Sequence, residues 1–240
     1  PEMAVMGGSS CRGAMIERGV ISNDGIGLGI FGVFDPDGSY GTAVVPLGND
    51  PVESAREAME MALNHSSRHG ELPDMIWISA APGNEERLIE GIESVIGSYV
   101  PIAGGSTGDN TISGNWSQFA GSKVCTNGIA ISVLFPSCEL VHAFHSGYDP
   151  TNNNGLITQA QGRTVHTIDG IPAASVLQQW TELFDEETIE TGGNVLAQTS
   201  MHPIGREVGR VGAIPFFKLS HPHELMPGGS VSFFTEMHTG

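Results

Sequence analysis

A short pattern occurs twice in this chain, and the repetition constrains its fold more than any other feature. Gly7-Gly8-Ser9-Ser10, followed by residues Ile21 to Leu28, is echoed by Gly104-Gly105-Ser106-Thr107, followed by Val124 to Ile131. Each copy reads as an apolar strand (Ala4 to Met6; Ile102 to Ala103), a small-residue turn, a variable loop and a β-rich run (Ile26 to Phe34; Ile129 to Phe135). Two copies are too few for a solenoid and predict a duplicated domain. The second copy is preceded by a strand, Met75 to Ser79, and a helix, Glu85 to Ser98, whose Leu88, Ile92, Val95 and Ile96 follow helical spacing. The first copy has no such lead-in. If the unit is strand, helix, strand, turn, strand, symmetry predicts a native protein that extends upstream of Pro1.

Between the copies, Pro51 to Asn64 reads as a helix: Asp50 caps it, Pro51 suits its first turn, and Val52, Ala55, Met59 and Leu63 form one apolar face. Alternation from Glu139 to His145 predicts a strand with Leu140, His142 and Phe144 on one face and Val141, Ala143 and His145 on the other. A Gly-, Asn- and Pro-rich loop, Gly147 to Gly155, leads to a strand from Arg163 to Ile168, an Asp169-Gly170 turn and a helix from Pro172 to Leu183. Strands are expected near Gly212 to Leu219 and Gly229 to Thr235. The expected fold class is therefore mixed α/β. Duplicated strand-helix-strand units form mixed sheets flanked by helices in a first domain, residues 1–150, and part of a second α+β module follows in residues 151–240.

Composition narrows the function classes. With 27 acidic against 10 basic residues, the formal charge is −17, and such a surface repels nucleic-acid phosphate and anionic membranes. Cys11, Cys125 and Cys138 are an odd count without metal-like spacing, which fits a reducing compartment and makes the cytoplasm the simplest address. No run approaches the roughly 18 apolar residues of a membrane span.

Several stretches resemble the FIST family, sensory domains of bacterial signal-transduction proteins. Pro101 to Asp109 (Pro-Ile-Ala-Gly-Gly-Ser-Thr-Gly-Asp), Phe119 to Gly121 and Asn127 to Ile131 are similar to the second half of its amino-terminal domain. His145 to Pro150, Ile157-Thr158, Gly162 to Val165 and Ile168 to Ala173 are similar to the passage into its carboxy-terminal domain. His202 to Gly205 and Leu225 to Val231 follow that second pattern less closely. These motifs are glycine-rich turns and strand ends, which specify a scaffold better than a chemistry. The resemblance implies a ligand sensor, not an enzyme, regulating a histidine kinase or a cyclic-di-GMP enzyme, with self-association as a homodimer compatible. Its ligand would be a small metabolite such as an amino acid or, in the branch that carries haem b, nitric oxide.

A haem sensor needs an imidazole facing an apolar cavity and partners for the propionates. His145, at the expected strand end before Ser146-Gly147, is the first choice for the iron, weighed against a hydrogen-bonded rim histidine. His142, between Leu140 and Phe144, is the alternative, against a satisfied core histidine. Arg163 suits a carboxylate or propionate, against a surface ion pair. Tyr148 and Asp149 stand in the loop that would border the pocket.

The rival reading is a hydrolase or transferase using Cys11, Ser9 or Asp109, but no base and orienting group accompany them. His221-Pro-His223 with Glu224 lacks a fourth metal ligand, and Asp35-Pro-Asp-Gly38 is a turn before it is a calcium loop. Both Gly-Gly-Ser segments are better explained by close packing between repeats than by anion binding.

Overall fold

The computed structural model describes all residues except 1, 2, 12, 25, 112, 144, 145 and 213. The chain divides into two compact units, Pro1–His142 and Ala143–Gly240. It is of the mixed α/β class the sequence predicts.

The first unit runs β1 (Met6–Gly8), β2 (Ala14–Ile16), β3 (Gly19–Ile21), β4 (Ser39–Pro46), α1 (Pro51–His65), β5 (Met75–Ala80), α2 (Glu85–Ile96), β6 (Ile102–Ser106), β7 (Gln118–Ala120), β8 (Lys123–Cys125) and β9 (Gly128–Phe135). Its main sheet has the order β4-β9-β5-β6, with β5 and β6 parallel and the other pairs antiparallel. β9 is nearly continuous in apolar residues because neighbours pair on both its edges and layers cover both its faces. One face meets α1 and α2 through a core that includes Val45, Met59, Leu63, Ile76, Leu88, Ile92, Ile129, Ile131 and Val133. Val44 and Ala130 on the other face meet Ala120, Met6 and Cys125 of a second sheet, ordered β1-β7-β8.

Helix α1 starts where expected, the Asp50 carboxylate accepting the Val52 N–H at 3.1 Å. It packs almost onto the backbone of β4: a Cβ at Gly41 would stand 2.0 Å from the Ala62 carbonyl oxygen. The Thr42 N–H donates to His65 Nδ1 at 2.9 Å and ties the helix end to the strand. Helices α1 and α2 meet at Gly91, where a Cβ would lie 2.3 Å from the Val52 carbonyl oxygen.

The second unit comprises β10 (Ile157–Gln161), β11 (Thr164–Ile168), β12 (Ile171–Pro172), α3 (Ala173–Thr181), α4 (Glu186–Thr191), β13 (Gly193–Asn194), α5 (Leu196–Thr199), β14 (Ile204–Val211), β15 (Ile214–Ser220), β16 (Pro222–Met226) and β17 (Ser230–Phe233). Strands order as β10-β11-β17-β16-β13, with β12 on β11, while β14 and β15 form a separate antiparallel hairpin. Val165, Ile168, Leu177, Phe184, Leu225, Val231 and Phe233 fill this unit's own core. The Asp169-Gly170 turn has both residues at positive φ, 51° and 77°, as a tight reversal from β11 into β12 requires.

Two expectations are corrected. Residues 26–34 are not a strand in the described chain, apart from an isolated bridge between Asn23 and Ile26. Nor are residues 139–143, the described part of the predicted Glu139 to His145 strand. Alternation supplies apolar faces, but a strand persists only where neighbours take its backbone hydrogen bonds. β9 has β4 and β5 as neighbours; neither of these segments has a ladder.

Candidate functional site

The histidine chosen as first haem ligand, His145, lies outside the described residues. His142 is exposed, outside any strand, at the end of the first unit, so the expected core-facing position is not what the structure shows. Arg163 immediately precedes β11, and its carbonyl oxygen accepts the Phe233 N–H at 2.9 Å. Asp149 is exposed on its loop. Tyr148 reaches back to the body of the second unit: its hydroxyl donates to the Ser200 carbonyl oxygen at 2.9 Å and lies 3.4 Å from His221 Nε2, with the rings edge to face at 6.0 Å. Such contacts anchor the loop. Among the described residues of the second unit, Tyr148, Asp149 and Arg163 do not line a common apolar cavity fit for haem b.

Of the nucleophile candidates, Cys11 is an exposed free thiol, while Ser9 and Asp109 are occupied. The Ser9 hydroxyl accepts the Ser117 N–H at 2.9 Å. Burial alone would raise the Asp109 pKa, but the N–H groups of Ser113, Asn115 and Thr111 outweigh it and hold the carboxylate well below its usual range. It closes its own loop rather than serving as a base. His223 stacks on Phe234 at 4.7 Å, and burial pushes its pKa down. A Cβ at Gly7 would fall 2.6 Å from the Phe119 ring, and one at Gly8 2.3 Å from Ser79 Oγ, so the first Gly-Gly-Ser turn serves close packing.

A site the sequence reading missed lies within the second unit. The β14–β15 hairpin stands over the sheet, and between them opens a small cleft of about 90 Å³. Ile157, Val165, Ile168 and Phe233 make an apolar floor, Trp180 of α3 forms a wall, Arg206 and Lys218 come from the hairpin, and the Glu236 carboxylate also lines the space, so the charge there is mixed with the cations in excess. The two cations are direct cross-strand partners and therefore share a face. Among the described residues neither makes an ion pair with a carboxylate. Two like charges placed opposite each other repel, in a chain with only 10 basic residues against 27 acidic ones. An anion held between them, with an apolar body on the floor, turns that repulsion into attraction.

The signal for this site was present but incomplete. A turn at Gly212, which has φ 62°, folds Arg206 onto Lys218 by symmetry about the turn, so the cation pair was legible. That the pair faces Trp180 and an apolar floor was not, since Trp180 comes from a helix far away in sequence.

Among protein families, the model of the FIST N domain matches residues 1–171. The matched stretch includes Ile157, Val165 and Ile168 of the cleft floor and ends before the hairpin. No curated protein matches the chain significantly. No helix among the described residues is long and apolar enough to cross a membrane.

Proposed function

Because the chain belongs to the FIST N domain family, whose members are sensory signal-transduction domains that bind small ligands, we propose that it senses a small organic anion held in the cleft of its second unit. The observation that carries this reading is the unpaired Arg206–Lys218 couple at the mouth of an apolar cleft. A carboxylate between the cations and a hydrocarbon or aromatic body beside Trp180 is the complementary chemistry, and it fits a metabolite of the size of an amino or keto acid. The few polar groups set orientation and the floor supplies most of the burial.

The arrangement also supplies a way to signal without catalysis. A hairpin of two strands is marginally stable by itself, so its attachment to the sheet is the soft part of the unit. An anion that touches the hairpin through Arg206 and Lys218 and the sheet through Ile157 and Phe233 favours the hairpin-down state over the hairpin-up state. A separate histidine kinase or cyclic-di-GMP enzyme reading that difference completes the circuit.

Calorimetric titration with a set of small carboxylates, each beside its neutral amide, tests this. Saturable binding of at least one carboxylate and loss of binding for its amide are expected; equal behaviour of acid and amide would remove the cations from recognition. The haem reading has its own assay. A Soret band on adding haemin that shifts with nitric oxide and disappears in His145→Ala would make haem b the sensed cofactor, with Arg163, Tyr148 and Asp149 as the residues to substitute next.

A further inference from the structure

The cleft of the second unit has a direction. Ile204 pairs with Ser220, and two residues along the hairpin Arg206 pairs with Lys218, so both pairs share the face that lines the cleft. Ser220 is 4% exposed and Ile204 packs against the unit's core, whereas Arg206 and Lys218 are exposed. The cations therefore stand at the rim and the other pair at the bottom. Two strand residues separate the pairs, a depth of about 7 Å.

The groups around this space decide more than the sign of the ligand. Arginine and lysine side chains are donors only. The Ser220 hydroxyl accepts the Thr235 N–H at 3.3 Å, the Thr235 hydroxyl donates to Met237 Sδ at 4.0 Å, and the Glu236 carboxylate is already engaged within the chain. His238 is exposed, so water competes for it. A ligand carboxylate finds two cations at the rim. An ammonium group on the neighbouring carbon finds the same two cations, and it meets the repulsion that the carboxylate relieves. Size decides the rest. An apolar cavity of about 150 Å³ takes up a benzene ring. This cleft offers about 90 Å³, room for a branched alkyl group and not for a phenyl ring.

We infer that the cleft selects a short aliphatic monocarboxylate of about four to six carbons, without an amino group and without an aromatic ring. The inference rests on the reading of the cleft as an anion site and narrows it. The carboxylate lies between Arg206 and Lys218, the alkyl chain runs inward past Trp180, and its branched end meets Ile157, Ile204 and Phe233. 4-Methylpentanoate has this make. L-Leucine adds an ammonium group to the same skeleton, and 3-phenylpropionate keeps the charge but carries a ring.

Isothermal titration of the full 240-residue chain with these three compounds at low ionic strength is the test. 4-Methylpentanoate should bind roughly tenfold more tightly than either of the others, or better. In Lys218→Gln the gap between 4-methylpentanoate and L-leucine should narrow: both lose the same carboxylate contact, but only L-leucine is relieved of a charge that repels its ammonium group. A variant that failed to fold would bind neither and show no such narrowing. L-Leucine binding as tightly as 4-methylpentanoate, or 3-phenylpropionate binding more tightly, would overturn the inference and leave the anion site standing. Absence of saturable binding by either acid would overturn it too, and if the wider set of carboxylates also failed to bind, the anion site would fall with it.

Discussion

Neutralising the cation pair should move stability and binding in opposite directions. Arg206 and Lys218 face each other across the β14–β15 ladder without a carboxylate partner among the described residues. A like-charge pair directly opposite on two strands costs about 0.2–1 kcal/mol. Arg206→Gln or Lys218→Gln removes that repulsion, so each variant should melt up to about 3 °C higher than the parent in the absence of ligand. Each also deletes a charge-assisted hydrogen bond to the bound carboxylate, worth about 1.5–3 kcal/mol, so affinity should fall roughly 10- to 100-fold. Exposure of both side chains favours the lower end and makes binding weaken as salt is added. Differential scanning calorimetry without ligand and isothermal titration with it, at low and high ionic strength, give both signs from one preparation. Affinity unchanged from the parent in both variants, or affinity and melting temperature that fall together, would refute the reasoning: the first removes the cations from the site, the second makes them supports of the fold.

Trp180 walls the cleft, so a bound ligand should change its fluorescence, and Trp180→Phe should abolish most of the ligand-dependent signal while leaving Trp77 and Trp116 to report the rest. Gly91→Ala should destabilise the first unit by about 1–3 kcal/mol in denaturant melts, because the added methyl meets the Val52 carbonyl at 2.3 Å and the Ala55 Cβ at 2.8 Å; a change within about 0.5 kcal/mol would show that α1 and α2 separate freely. The Asp35 carboxylate accepts hydrogen bonds from the Ser137 hydroxyl and N–H, the Tyr40 hydroxyl and the Gly38 N–H, which lower its pKa from 3.8 to about 2. Its folded pKa lies below the unfolded one, so its contribution to stability is present above pH 3.8 and is lost as pH falls towards 2; acid melts of Asp35→Asn should be flatter across that window.

Much of the first unit was legible because local signals and tertiary contacts agree there. Asp50 and Pro51 begin α1 as expected, the spacing of Leu88, Ile92 and Ile96 marks the buried face of α2, and the apolar run that becomes β9 is buried throughout its centre. The same kind of signal misled at residues 26–34 and 139–143, where a strand-like pattern exists and a strand does not. Periodicity reports which face a strand would bury, not whether a neighbour is there to pair with it. For the candidate site the lesson is sharper. Tyr148 was singled out for a pocket and instead anchors its loop on Ser200 and His221. Arg206 and Lys218 can be paired about the turn at Gly212, but their place beside Trp180 over an apolar floor comes only from the tertiary structure.

By itself, then, the sequence determined the mixed α/β class, the repeat and the positions of α1, β5, α2 and β9 in the first unit and of β11, α3, β15 and β17 in the second, because these follow from spacing, capping and turn chemistry within a few residues. It also determined the charge imbalance that makes an unpaired cation couple conspicuous. Only the tertiary structure decided which apolar run is covered, where the cleft opens and which side chains meet in it. Those depend on contacts between residues distant along the chain, as when Trp180, Arg206 and Phe233 come to line a single space.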